Sequence, residues 1–263
     1  MVVKMNILYT GARSGIAYSV IKKFKNDKKY FLYLGVHTDN ELKRVKKLYN
    51  DYNNVKCLKL DITNKEDLKQ IEKLDIDILV SNAAIGYGGS ICDIEIDKMK
   101  ENFEVNVFSN VNLIQIVLKK MIKKNKGKII IMSSLAGLIP ISFLGSYCAT
   151  KASLIKIGEC LKKEIKMLNK NIDIVLIEPG LYKTGFNKYM FDNKDTLLEQ
   201  GYFNEIINYI KLKDNLILLF EKKSLNSISN KIYKSIIDTK PKFIYRAPFL
   251  QVFFAKLYML FFE

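Results

Sequence analysis

Tryptophan is absent, histidine occurs once, and the 263 residues hold only four prolines and four cysteines. With His37 the sole imidazole, a zinc site is excluded in practice, and so is any Ser-His-Asp or Cys-His mechanism that does not run through it. Cys57, Cys92, Cys148 and Cys160 are scattered, with no C-x-x-C pair. They read as reduced thiols, not as a disulfide framework. No apolar run reaches the ~20 residues that a membrane-spanning helix requires. The opening residues Met1-Val-Val-Lys-Met-Asn lack the charged-then-apolar pattern of a secretion leader, so the expected setting is the cytoplasm. Arginine is scarce too: Arg13, Arg44 and Arg246 are the only ones among 43 basic residues. The net charge of +16 is therefore lysine spread over solvated faces. Nucleic-acid readout favours the planar arginine fork, and no nucleic-acid partner is expected.

What the chain has is apolar content, 49%, enough for a sizeable core. Short runs rich in Ile, Leu and Val fall at residues 6–9, 30–36, 55–60, 77–80, 128–132, 172–177 and 242–245, with little polar alternation. Strands buried on both faces have this pattern, and such strands belong to parallel sheets. Helical spacing lies between them, at 15–25, 41–49, 99–124 and 146–168. The alternation predicts a doubly wound α/β sheet of Rossmann type with helices on both faces, a single domain over 1–263. Thr38-Asp-Asn-Glu41 fits a capping box, and Asn64 with Glu66 and Asp67 reads as a second cap. The lysines of 119–128 read as a helix C-terminus that attracts cations, with Gly127 as its stop.

Directly after the first strand comes Thr10-Gly11-Ala12-Arg13-Ser14-Gly15-Ile16-Ala17. A dinucleotide pyrophosphate needs close backbone approach and free N–H groups at a helix start, which glycine permits. Gly11 supplies the turn and Gly15 the close helix start, while Ala17 stands where a third glycine often sits. The second strand ends Gly35-Val36-His37, without the acid that holds a ribose 2′-hydroxyl in NAD enzymes. With Arg13 and His37 able to approach a 2′-phosphate, NADP(H) is the expected cofactor, the phosphate-free NAD being the alternative.

After the fifth strand stand Ser133 and Ser134, and the next helix carries Tyr147-Cys-Ala-Thr-Lys151. Residues four apart share a helix face, so Lys151 is placed beside Tyr147, where an ammonium favours the phenolate. In company with Ser134 and the glycine turn, this pattern resembles the short-chain dehydrogenase/reductases of about 250 residues, in order over the first ~185 residues. Further matches are Asp61-Ile62 (adenine contact), Asn82-Ala83-Ala84 where the family has Asn-Ala-Gly, Asn106, and Pro179-Gly180 with Thr184 (the nicotinamide seat). The resemblance implies an oxidoreductase moving a hydride between nicotinamide and a carbonyl or secondary alcohol. Tyr147 would be the acid/base, Ser134 would orient the carbonyl, and Lys151 would depress the Tyr147 pKa and hold the ribose. Asn106 would support a water linking Lys151 to solvent. Cofactor contacts would run through Thr10, Gly11, Arg13, Ser14, Gly15, Ile16, His37, Asp61, Ile62, Asn82, Ala83, Tyr147, Lys151, Pro179, Gly180 and Thr184. The rival class is a nucleotide-binding regulatory or membrane-surface protein without turnover.

Beyond Thr184 the family pattern gives out. Phe186, Tyr189, Met190, Phe191, Tyr202 and Phe203 crowd a segment, 184–225, that is either a lid over an apolar substrate or a pair of ordinary helices. The segment 247–263 ends in a run whose only strongly polar members before Glu263 are Gln251 and Lys256. Three readings fit it: an oligomer contact, a flap over a lipid-like substrate, or a helix lying on a membrane. A homo-oligomer, dimer or tetramer, with possible peripheral membrane contact is expected.

Overall fold

Seven parallel strands, all where the apolar runs place them, make one sheet. A computed structural model of the protein describes residues 4–13, 15–24 and 27–262. In chain order the elements are β1 (Met5–Thr10), α1 (Ile16–Ile21), β2 (Tyr30–Val36), α2 (Asp39–Tyr49), β3 (Val55–Lys59), α3 (Lys65–Glu72), β4 (Ile78–Ser81), α4 (Ile96–Phe103), α5 (Asn110–Lys124), β5 (Gly127–Met132), α6 (Gly145–Met167), β6 (Ile172–Pro179), α7 (Phe186–Leu198), α8 (Ile207–Leu219), α9 (Asn226–Ile237), β7 (Ile244–Ala247) and α10 (Phe249–Phe262). Strand order is β3-β2-β1-β4-β5-β6-β7. The chain therefore reverses direction across the sheet between β1 and β4, and the carboxyl ends of those strands border the crevice where such sheets bind ligands.

Alternation along each strand divides the core in two. Ile7 and Tyr9 of β1, with Ile130 and Met132 of β5, face a layer that includes Val20 of α1, Val45 of α2 and Ile232 of α9. Leu8, Ile129 and Ile131 face the opposite layer, with Leu68 of α3, Leu113 of α5 and Leu154 of α6. Each fully buried aliphatic side chain contributes roughly 1.5–3 kcal/mol, which is why uninterrupted Ile and Leu define these strands.

Local signals behave as chemistry dictates, with two differences. Thr38 accepts from the Glu41 N–H while the Glu41 carboxylate accepts from the Thr38 N–H, so the capping box is complete. Asn64 accepts from Glu66 and Asp67. The first helix is shorter than its spacing predicts: α1 ends at Ile21 and passes into a 3₁₀ turn over Lys22–Phe24, while Lys25 lies outside the described residues. The stop of α5 is not Gly127 but Asn125, in the left-handed conformation at φ 51°. Gly127 instead begins β5, where an added Cβ would lie within 2.9 Å of the Met121 side chain. Lys123 and Lys124 do stand in the last turn of α5, but the backbone bonds of this stretch go elsewhere: Lys120 Nζ donates to Leu74 O, and the buried Lys128 Nζ donates to Ser235 O, Ile236 O and Asp238 O at the end of α9.

Between α4 and α5 the helix widens into a π-helical segment, Glu104–Ser109, that contains Asn106. Nothing in the sequence pattern announces it.

Candidate active site

The glycine turn is built from both ends of the switch point. Gly11 and Gly15 each hold φ 63°, a conformation that disfavours any residue with a Cβ. A Cβ on Gly11 would come within 3.0 Å of Ala83 Cα, and one on Gly15 within 3.1 Å of Thr184 Cβ. Thr10 and Asn82 stitch the turn together: Thr10 Oγ1 accepts from the N–H groups of Asn82 and Ala83, and Asn82 Nδ2 donates to Thr10 O at 2.9 Å. Ser14 lies outside the described residues.

A cavity of about 1160 Å³ opens above these strand ends. It brings together Gly11, Arg13, Gly15, Ile16, His37, Asn82, Ser134, Tyr147, Lys151, Pro179, Gly180 and Thr184. Thr10, Ala83 and Asn106 stand behind its wall as supports. Asp61 and Ile62 do not line it: Asp61 faces Thr63 and lies 3.3 Å from His37 Nε2, and Ile62 is buried in the core under α3.

At the corner below β2, Arg13 donates to Glu41 Oε1 at 2.9 Å, and Glu41 also takes the N–H groups of His37 and Thr38. Burial works to raise the Glu41 carboxyl, but Arg13 and the two N–H groups outweigh it and hold it below its ordinary value. Arg44 lines the same cavity from α2. Sequence reading overlooked it. Two of the chain's three arginines converging here is the signal that was available.

At the far side, β5 ends at Met132 and delivers Ser134, whose hydroxyl donates to Pro179 O at 3.3 Å and caps the Leu135–Gly137 turn. Tyr147 and Lys151 project from one face of α6, the Lys151 Nζ lying 5.6 Å from the Tyr147 ring centre and donating to Met132 O at 3.1 Å. Both are buried; Lys151 is 3% exposed. Desolvation pushes the Lys151 ammonium down to about 8. It pushes the Tyr147 phenol up, with hydrogen-bond contact between Tyr147 and Ser134 acting the other way. The expected lowering of Tyr147 by Lys151 is thus not the prevailing effect in the chain itself, because burial acts on both groups and favours their neutral forms.

Asn106, 0% exposed, bridges two elements by hydrogen bonds. Its side chain accepts from Ile85 N and donates to Ile85 O and to Thr150 Oγ1, one residue from Lys151. The π-helical turn thereby ties the loop after β4 to α6.

Much of the remaining wall is apolar, with Glu101, Asn187 and Gln251 among its polar members. Ile139, Ile141, Leu144, Phe186, Met190 and Ile217 line it, and the Phe186 and Tyr147 ring centres are 5.9 Å apart. Segment 184–225 is helical, and α7 lines the cavity with Phe186, Tyr189, Met190 and Phe191, whereas Tyr202 and Phe203 do not reach it. From α10, Gln251, Phe254, Ala255 and Tyr258 complete the rim. Among the described residues no cluster of three metal-ligating side chains occurs, and no helix is long and apolar enough to cross a membrane.

The family model for the short chain dehydrogenases matches residues 5–195. An NADPH-dependent 3-dehydrocapnine reductase of Ornithobacterium rhinotracheale is 29% identical over 95% of this chain and 91% of its own. A 3-ketodihydrosphingosine reductase of Bacteroides thetaiotaomicron is 26% identical over 95% and 90%. An NADP-dependent 3-hydroxy acid dehydrogenase of Schizosaccharomyces pombe is 30% identical over 75% and 79%. Among solved structures, a short chain dehydrogenase/reductase from Burkholderia phymatum in complex with NAD superposes with TM-score 0.82 at 17% identity, covering 97% of this chain and 93% of that one.

Proposed function

The chain belongs to the short-chain dehydrogenase family, an oxidoreductase family acting on CH–OH and C=O groups, and on that premise we propose that it is an NADPH-dependent reductase of an apolar ketone. One observation carries this: a single cavity joins the glycine turn to an apolar chamber, with Ser134, Tyr147 and Lys151 in its wall.

The residues fit a dinucleotide. Gly11 and Gly15, both at φ 63° and packed closely against Ala83 and Thr184, form a tight turn that a residue with a Cβ would not readily adopt, beside the start of α1. The turn would hold the pyrophosphate; Arg13, Arg44 and His37 would hold a 2′-phosphate; Lys151, Asn82, Gly180 and Thr184 would seat the nicotinamide ribose and ring. Supporting NADPH over NADH, β2 ends without a carboxylate, and the nearby Glu41 is occupied by Arg13 and two N–H groups. When bound, the cofactor supplies the hydride. The chain's own residues do the rest. Ser134 orients the carbonyl by hydrogen bonding to its oxygen. Tyr147, kept protonated by burial, gives its proton to that oxygen as charge develops there. Lys151, poised near pH 8, restores it. Water is excluded by α7 closing over the chamber as a lid.

The apolar wall of Ile139, Ile141, Leu144 and Met190 supports a substrate with a hydrocarbon portion. The relatives named as reductases of 3-ketodihydrosphingosine and of 3-dehydrocapnine, matched along nearly their whole lengths, support the direction of reduction. Four unpaired thiols support a reducing compartment such as the cytoplasm. Exposed Ile96 and Phe108, on α4 and the π-helical turn, offer a face for a second copy.

The test is oxidation of NADPH by the purified protein with detergent-dispersed ketones of increasing chain length. NADPH should exceed NADH at least about tenfold in kcat/KM, since hydrogen bonds to a charged phosphate are each worth roughly 1.5–3 kcal/mol. Absence of turnover with every ketone, keto-acyl thioester and sterol offered would overturn it.

A further inference from the structure

The rim of the cavity carries a feature that proton transfer does not use. Apart from Gln251 and Lys256, α10 is apolar, yet among its described side chains Ala255 alone is buried. Phe249 is 80% and Leu260 75% exposed, and α8 adds exposed Leu212, Leu216 and Leu219, with Phe220 directly after it. The two helices meet. Gln251 in the first turn of α10 accepts from Leu181 N at 2.6 Å and donates at 3.0 Å to the carbonyl oxygen of Phe220, the residue just past α8. Phe220 and Phe254 both line the cavity and both stand exposed, so the chamber opens between these helices.

We propose that the face formed by α8 and α10 docks on an anionic lipid bilayer, so that the apolar substrate enters the chamber from the membrane. The proposal rests on the reading of that chamber as an apolar substrate's site. Three observations argue for lipid. An apolar patch of this extent is seldom left bare on a soluble monomer. At ~1.5 Å per residue the 14 residues of α10 extend about 21 Å, too short for a ~30 Å hydrocarbon core but suited to lying along its surface. Charge matches as well: Lys213, Lys222, Lys223 and Lys256 are exposed and make no ion pair among the described residues. The acids beside them are occupied, Asp214 by Lys194 at 2.6 Å and Glu221 by Asn187 at 2.7 Å. A second copy fits this face poorly. A two-fold contact would bring two lysine-bearing faces of like charge together and would close the chamber.

The experiment is flotation of the full chain with vesicles of phosphatidylcholine alone and with phosphatidylglycerol added. The protein should float with the anionic vesicles and be released by salt. Phe253→Glu with Leu260→Glu, or Lys222→Glu with Lys223→Glu, should weaken binding by about tenfold or more, from loss of interfacial burial or of charge attraction. Neither pair should alter NADPH-dependent reduction of a short, soluble ketone, and both should slow reduction of a long-chain ketone presented in vesicles. No preference for anionic vesicles would overturn the proposal. So would a stable dimer that Phe253→Glu with Leu260→Glu converts to monomer without any vesicle binding. Flotation in a protein that reduces no ketone would leave the docking surface standing and sink the catalytic reading instead.

Discussion

Replacing Lys151 by methionine should make the protein inactive and more stable. The side chain is 3% exposed, and its ammonium is pushed down to about 8 by burial. Against an unfolded value near 10.4, holding that charge in the folded chain at pH 7 costs roughly 3 kcal/mol. Lys151→Met removes the cost but also the hydrogen bond to Met132 O, worth roughly 1 kcal/mol, so a net gain of about 2 kcal/mol is expected. The dependence on pH is diagnostic. Below about pH 8 the lysine is protonated folded and unfolded, and the cost is fully present. Between there and ~10.4 only the unfolded chain holds the proton, so wild-type stability rises with pH; above that both states are neutral and the cost has gone. The advantage of the variant should therefore be largest at pH 7, shrink as pH rises above about 8, and reverse to a deficit of about 1 kcal/mol above ~10.4, where only the lost hydrogen bond remains. Urea unfolding of the cofactor-free proteins at several pH values measures it as a shift in midpoint at constant slope. A less stable variant at pH 7, or an advantage that ignores pH, would refute the reasoning.

Two further substitutions divide the site into its parts. Tyr147→Phe keeps the ring against Phe186 but removes the proton donor: kcat should fall about a thousandfold while cofactor binding, followed by fluorescence titration, stays within about a factor of two. Unchanged turnover would remove Tyr147 from the chemistry. Arg44→Ala should raise KM for NADPH about tenfold and leave NADH unaffected, because only the 2′-phosphate offers the guanidinium a charged partner. Equal effects on both cofactors would place Arg44 in the structure of α2 alone.

The sheet was legible because its signal is local. Doubly buried strands need uninterrupted Ile, Leu and Val, and all seven such runs become strands. Tyr147 and Lys151 were legible because four-residue spacing fixes a shared helix face before any packing is known. What escaped depends on contacts distant in sequence. The π-helical turn at Glu104–Ser109 reads as ordinary helix, and it is accompanied by Asn106 binding Ile85 and Asn110 Nδ2 reaching Ala83 O. Asn125 ends α5 in the left-handed conformation while its side chain accepts from Asn171 N, 46 residues on. Gly127 was mistaken for the stop because its real constraint, the Met121 side chain over β5, is tertiary. Arg44 escaped because the rule for cofactor choice looks to the end of β2, whereas this side chain arrives from α2.

The same apolar wall ties substrate to chemistry. Ile141, Leu144 and Phe186, which would receive a hydrocarbon substrate, are also part of the low-dielectric surroundings in which Tyr147 and Lys151 are desolvated. Burial raises the phenol and lowers the amine, so both are biased toward their neutral forms. A protonated phenol suits donation to a carbonyl, which is the reductive direction; the reverse reaction must first create a phenolate that burial opposes. Opening the chamber to water, for instance by cutting back Phe186, should therefore lower the Tyr147 pKa and shift the pH profile of alcohol oxidation toward lower pH, with the overall equilibrium unchanged. On the proposed reading, substrate polarity and the pH dependence of each direction have one physical origin in this site, and neither can be altered without pulling on the other.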